Sequence, residues 1–223
     1  MKSDRATTAP APATRVWDLP TRLFHWALAV LVVVAVATAK VGGNWMDWHM
    51  RAGYAVLALV LFRLLWGFAG SRYARFATFV RGPRALLDYL RGRVRPTAGH
   101  SPLGALSVLA LLAVFLVQAG SGLFASDDIF TEGPLAKLVS GATMNLMTTV
   151  HKRGEYVIYA LVGLHLAAVA YYALVRREPL IATMVGGDRI LPAPPARDDA
   201  LLRLRALLLF AVACALVWYL VTV

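Results

Sequence analysis

Long apolar runs alternate with short polar segments along this chain. A helix that crosses a bilayer needs about 20 predominantly apolar residues. Five runs meet that length, at about 23–39, 50–68, 102–124, 150–175 and 201–223. The pattern therefore predicts an all-α integral membrane protein with five transmembrane helices.

The charges of the polar segments predict the orientation of these helices. Between the second and third runs one acid, Asp88, faces many arginines: Arg72, Arg75, Arg81, Arg84, Arg91, Arg93 and Arg95. The segment between the third and fourth runs is acidic instead, with Asp127, Asp128 and Glu132. Since cytoplasmic loops carry the excess of Lys and Arg, we expect the bacterial inner membrane, a cytoplasmic N-terminus and a periplasmic C-terminus.

Composition excludes several classes of protein. Of the 223 residues, 59% are hydrophobic and 16% are charged, whereas soluble domains carry roughly 25% charged residues. The net charge of +11 comes mainly from arginines between the apolar runs, which is typical of membrane orientation and not of a nucleic-acid-binding face. The single cysteine, Cys214, excludes an internal disulfide and a cysteine-ligated iron–sulfur cluster.

The polar stretches suggest a domain organisation. Residues 1–18 are polar and Pro/Ala-rich and are expected to form a disordered leader, followed by a bundle over 19–187. The Pro-rich stretch 188–200 is expected to be a cytoplasmic linker that sets the fifth helix, 201–223, apart from the other four. Leucines among arginines over 79–91 predict a short amphipathic helix on the inner leaflet.

Four histidines fall at two matched depths of the predicted bundle. His151 opens the fourth span at its outer end, and His165 follows 14 residues later, about 21 Å deeper and within about 40° of the same helix face. His49 begins the second span at its outer end, and His25 lies near the inner end of the first. The depths therefore pair His49 with His151 and His25 with His165. Two stacked bis-histidine sites in a bundle core are what two b-type haems require.

Several motifs resemble those of the prokaryotic cytochrome b561 family, the di-haem membrane cytochromes that include the cytochrome b subunit of nickel–iron hydrogenases. The resemblance covers about residues 15–187. It is carried by VWDLPTRLFHW (16–26), HMRAGY (49–54), RLLWGFAGSRYARF (63–76), GHSPLGAL (99–106) and HKRGEYVIYALVGLH (151–165). It implies a four-helix bundle that binds two b haems through the same two histidine pairs. The fifth helix is an addition to that pattern.

Other polar residues near the inner end are candidates for contacts with cofactors. Arg63 and Arg22 could bind haem propionates, although Arg63 could instead extend to the lipid headgroups. His100, at the start of the third span, is either an interfacial histidine or a hydrogen-bonding partner of quinone, and Asp18 could accept a proton there.

The leading functional hypothesis is respiratory electron transport through two haem b groups, by an electron-transfer cytochrome or a subunit of an oxidoreductase complex. The expected partners are membrane lipid, quinone, and a periplasmic c-type cytochrome or hydrogenase-like subunit. The sequence is also compatible with a homodimer. A superoxide:quinone oxidoreductase of the same family is the alternative. A haem-free scaffold or proton-relay bundle that uses histidines as relays is a more distant one.

Overall fold

The computed structural model describes residues 13–93, 98–127 and 131–223. In chain order the elements are β1 (Ala13–Arg15), α1 (Leu19–Val41), α2 (Met46–Ala69), α3 (Phe76–Phe79), α4 (Pro83–Leu90), α5 (Pro102–Gly122), α6 (Gly141–Leu174), α7 (Leu180–Gly186), β2 (Asp188–Ile190) and α8 (Ala200–Thr222). Helices α1, α2, α5, α6 and α8 are long and apolar enough to cross a membrane. The predicted all-α membrane architecture with five long helices is therefore confirmed.

Side-chain caps set where four of the long helices begin. Asp18, Ser101, Ser140 and Asp199 each accept a hydrogen bond from the backbone N–H three residues further along. Such a bond satisfies one of the amides that the first turn of a helix leaves without a partner. The cap at Ser140 starts α6 at Gly141, well before the predicted start near residue 150.

Helix α2 is the centre of the bundle. Helices α1, α5 and α8 pack along it, while α6 packs along α5. In the most apolar stretch of α2, 56% of the residues are buried, whereas the corresponding shares are 11% in α1 and 6% in α6. The main core forms around α2 from Phe24, Val56, Val60, Phe62, Trp66, Leu112, Phe115 and Ile158.

The fifth long helix, α8, belongs to this core. Leu202, Ala206 and Ala213 are buried in the same cluster as the α2 residues, and Val217 is buried in a second cluster with Leu57. Ala206 and Ala213 lie seven residues apart, on one face, and small residues allow two helices to approach closely. The expectation that the linker sets this helix apart is therefore wrong.

The end of the predicted leader and the predicted linker bind each other. Strands β1 and β2 pair antiparallel, with Ala13 opposite Ile190, and Tyr73 Oη donates a hydrogen bond of 2.7 Å to the Pro194 carbonyl. The Asp198 carboxylate lies 3.6 Å from Arg15, 4.0 Å from Arg22 and 3.1 Å from Arg203. Residues 13–18 are therefore ordered, contrary to expectation, whereas residues 1–12 of the leader lie outside the described part of the chain.

The predicted amphipathic helix is present as α4, which follows the single turn of α3. Tyr89 of α4 makes a hydroxyl–hydroxyl hydrogen bond with Tyr172 near the end of α6. This contact ties the arginine-rich segment to the same end of the bundle as the linker.

We predict that Ala213→Leu destabilises the protein, because Ala213 is 1% exposed where α8 packs on the core. Adding that much volume to a packed interface costs about 1–3 kcal/mol. Thermal unfolding in detergent measures the change. Ala215→Leu, on an exposed position of α8, is the matched control and should have little effect; equal midpoints for the two variants would contradict the packing of α8 on the core.

Candidate functional site

The inner histidine pair joins α1 and α6, which are the first and fourth of the predicted spans. His25 of α1 and His165 of α6 have ring centroids 6.4 Å apart, with the ring planes tilted by 51°. The ring of Trp26 lies nearly perpendicular to that of His25, with the two centroids 5.0 Å apart. Helix α1 reaches this position because it begins at the Asp18 cap and Pro20, which favours the first turn of a helix.

The outer pair joins α2 and α6. His49, in the first turn of α2, and His151 have ring centroids 5.9 Å apart, with the ring planes at 83°. The structure thus brings together the two pairs that the sequence matched by depth, and α6 contributes one histidine to each.

Backbone carbonyls orient both outer rings. His49 Nδ1 lies 2.8 Å from the Ala35 carbonyl oxygen, and His151 Nδ1 lies 2.9 Å from the Gln118 carbonyl oxygen. Because a carbonyl only accepts, each Nδ1 carries the proton and donates. Each Nε2 is then left with its lone pair, which is the arrangement of a metal-binding imidazole.

Gln118 of α5 holds His151 from a second direction and was missed in the sequence. The side-chain Nε2 of Gln118 donates a hydrogen bond of 2.9 Å to the backbone carbonyl of His151. The backbone carbonyl of Gln118 in turn accepts a hydrogen bond from the His151 ring. The side-chain oxygen of Gln118 occupies the space where a Cβ on Gly154 would lie. A single amide inside an otherwise apolar span was the signal that could have identified this residue.

Glycines make room around the outer pair. A Cβ on Gly122 would lie 2.8 Å from His151 Cε1, so only glycine lets the ring pack against α5 here. A Cβ on Gly53, one turn beyond His49, would meet no atom within 4 Å. Gly53, Gly122 and the two histidines line one open cleft together with Met50.

An ion pair connects α1 to α6 beside this cleft. Lys40 Nζ contacts Glu155, which lies one turn beyond His151, and Tyr159 donates a hydrogen bond to the same carboxylate. The other cations near the outer pair are at the surface: Arg51 lies over the ring of Trp48, at 5.4 Å.

Arg63 is buried at the inner end of α2. It is 2% exposed, and its guanidinium carbon lies 5.2 Å from the centre of the Phe76 ring. The side chain therefore does not extend to the headgroups, which was one of its two predicted arrangements. Within the described residues Arg63 Nη1 has no hydrogen-bond partner, so this nitrogen remains available as a donor.

His100 packs between aromatic rings near Arg63. Its ring centroid lies 4.7 Å from that of Trp17 and 4.4 Å from that of Phe79. Burial, and then the positive charge of Arg63, lower the pKa of His100 to about 3. His100 is therefore neutral at physiological pH and belongs to neither histidine pair.

Arg22 contacts the segment that follows α6. Its Nη1 donates a hydrogen bond of 2.6 Å to the Val185 carbonyl, and its Nη2 lies 4.0 Å from Asp198. Like Arg63, it has a buried nitrogen, Nε, without a hydrogen-bond partner among the described residues.

The donor sets fit haem iron. An imidazole nitrogen binds a metal at about 2.0–2.1 Å, so two rings on opposite sides of one ion have centroids about 6 Å apart. Both pairs match that separation. In the described ranges no three His, Cys, Asp or Glu side chains come together as a metal site. Two donors suit an iron whose other four ligands come from a porphyrin.

The chain is similar to known b-type cytochromes. The family model described as prokaryotic cytochrome b561 matches residues 16–187. The "probable Ni/Fe-hydrogenase B-type cytochrome subunit" of Azotobacter chroococcum mcd 1 is 28% identical in an alignment that covers 80% of this chain and 89% of that protein. The corresponding Azotobacter vinelandii protein is 27% identical, with the same coverage. The "probable Ni/Fe-hydrogenase 1 B-type cytochrome subunit" of Escherichia coli K12 is 26% identical, covering 78% of this chain and 89% of that protein.

No solved structure gives a significant match. The family match covers the histidine pairs and most of the chain, and a cytochrome family excludes the haem-free scaffold considered above. The chain belongs to the prokaryotic cytochrome b561 family and is a multi-pass membrane electron-transfer protein that binds haem b.

Proposed function

We propose that this protein carries electrons across the bacterial inner membrane through two bis-histidine haem b groups, between the quinone pool and a redox partner at the periplasmic face. The observation that carries the proposal is the presence of two histidine pairs at two depths of one bundle, both sharing α6. One pair alone would leave much of the bilayer without a carrier, since the two α6 histidines are about 21 Å apart along the helix.

Each histidine of the two pairs would ligate a haem iron. His25 and His165 would hold the inner haem, and His49 and His151 the outer one. Haem, when bound, supplies a one-electron carrier whose potential depends on its ligands and surroundings. The Nδ1–carbonyl contacts of His49 and His151 fix the orientation of both rings, and they would leave each Nε2 free to bind iron and raise its basicity.

Quinone would react at the inner end. Arg63 and Arg22 would supply donors to a propionate or to a quinone carbonyl, because each keeps a buried nitrogen without a hydrogen-bond partner among the described residues. His100, neutral between its two aromatic neighbours, would serve as a hydrogen-bonding group and not as a cation. Asp18, whose Oδ1 caps α1, would accept a proton through its second oxygen.

A protein would be the partner at the outer end. The relatives named above are hydrogenase cytochrome subunits, so a hydrogenase-like subunit is our first choice and a c-type cytochrome the second. The loop before α6 carries Asp127 and Glu132, which would repel the anion superoxide; Asp128 lies outside the described residues. We therefore favour the protein partner over superoxide:quinone oxidoreductase activity.

The first prediction separates the two pairs. His49→Ala and His151→Ala should each lose the outer haem, and His25→Ala and His165→Ala the inner one, leaving about one haem per chain because a bis-histidine haem needs both ligands. Haem-to-protein ratio and the reduced-minus-oxidised spectrum measure the loss. His100→Gln is the control and should keep both haems. Loss of a haem from His100→Gln would contradict the assignment, and so would retention of both haems by any of the four ligand variants.

The second prediction concerns Gln118. Gln118→Leu removes the amide that holds the His151 carbonyl while keeping the backbone carbonyl that orients the ring. Outer-shell contacts of this kind change metal affinity by about 10-fold or more. We expect weaker retention of the outer haem and an unchanged inner haem in a haem-transfer assay. A Gln118→Leu protein that holds both haems as tightly as the wild type would remove Gln118 from the site.

The third prediction tests Arg63. A cation near a haem favours the reduced iron, and this effect is larger where the dielectric constant is low. Arg63→Gln should therefore lower the potential of the inner haem and leave that of the outer haem unchanged in a redox titration. Arg63→Lys keeps the charge and is the control. Equal inner potentials in the wild type and Arg63→Gln would mean that the buried arginine has only a structural role.

A further inference from the structure

Two groups of arginines can be distinguished at the end of the bundle where α1 begins. One group lies on the linker side, and each member is within 4.0 Å of a carboxylate: Arg15, Arg22, Arg189, Arg197 and Arg203. The other group follows α2, is exposed, and has no carboxylate within 4.0 Å among the described residues: Arg72, Arg75, Arg81, Arg84, Arg91 and Arg93. Asp88 is the one acidic residue over 72–93, so the second group forms a surface with a large excess of positive charge.

Helix α4 adds apolar side chains to this surface. Leu87 and Leu90 are 49% and 61% exposed. Leu87 lies three residues after Arg84 and Leu90 three residues after Leu87, so each is a surface neighbour of the residue before it in this series. The opposite face is held in place, since Tyr89 bonds to Tyr172 of α6 and α4 packs on α5. The exposed face is thus fixed to the bundle while it presents leucines next to guanidinium groups.

The chemistry of this face selects its occupant. Guanidinium groups bind phosphate oxygens in pairs, with a geometry that ammonium groups lack. The transfer of exposed leucine side chains from water to an apolar phase lowers the free energy. An anionic phospholipid offers both partners in one molecule, and clusters of this size on an amphipathic helix beside a span are typical of anionic-lipid recognition.

We propose that α4 and its flanking arginines, which we call the α4 surface (residues 72–93), bind anionic phospholipid in the leaflet at this end of the bundle. The phosphate would pair with Arg84, Arg91 and Arg93, and the acyl chains would cover Leu87 and Leu90. The hydrogen bond from Tyr89 joins α4 to Tyr172 of α6, which lies seven residues after His165. A lipid bound to α4 would therefore also stabilise the inner end of α6. The proposal is independent of electron transfer.

The test is a lipid titration of the full-length protein in a neutral detergent, followed by thermal unfolding. Phosphatidylglycerol should raise the unfolding midpoint more than phosphatidylcholine does, and added salt should reduce that difference. In the double variant Arg84→Gln/Arg91→Gln, the two lipids should raise the unfolding midpoint by the same amount. The matched control, Arg51→Gln/Arg153→Gln, removes two exposed arginines at the opposite end and should keep the preference.

Two further arms distinguish a lipid site from a simple anion site. Inorganic phosphate at the same concentration should not reproduce the shift, because it cannot cover the leucines, and Leu87→Ser/Leu90→Ser should weaken the response to phosphatidylglycerol. Native mass spectrometry of the wild type, which needs no variant, should retain phosphatidylglycerol in preference to phosphatidylcholine. A preference that survives in Arg84→Gln/Arg91→Gln, a full response to phosphate alone, or equal retention of both lipids would overturn the proposal.

Discussion

Helix α6 presents two imidazoles at two depths to two different helices, and much of the structure depends on that arrangement. His151 faces α2 and His165 faces α1, so α6 cannot pack tightly on both partners along its length. It packs along α5 instead and leaves most of its own surface exposed. The close packing that stabilises the bundle is therefore found around α2, where α1, α5 and α8 meet.

Polar groups inside an apolar bundle need partners, and the outer site shows how they are supplied. The carbonyls of Ala35 and Gln118 are available to the histidine rings although both lie within helices. A carbonyl has two lone pairs, so it can accept from a side chain while keeping its helical bond. Gly122 and Gly154 make these contacts sterically possible, because a Cβ at either position would overlap with His151 or Gln118. The glycines and the amide thus hold the His151 ring and backbone in place.

The inner end is organised by charge. The buried Arg63 lies near His100, whose neutrality follows from burial and from this neighbouring cation. The linker adds a second set of ion pairs through Asp198, which binds residues before α1 and within α8. This network connects the start of the chain to the last helix. It explains why a stretch rich in proline, with few apolar residues, is nonetheless an ordered part of the fold.

Sequence alone determined the features that depend on local periodicity. The five spans follow from apolar length, and the two histidine pairs follow from a 14-residue spacing read against helix geometry. Only the tertiary structure decided the rest. Nothing local in Ala206 or Ala213 indicates that α8 packs on α2, and nothing local in Gln118 indicates that its amide reaches the His151 carbonyl 33 residues away. Periodicity reports which face of a helix is apolar, but in a membrane both lipid and protein satisfy an apolar face. The choice between them is made by the shape of the neighbouring helix, which becomes defined only when the chain has folded.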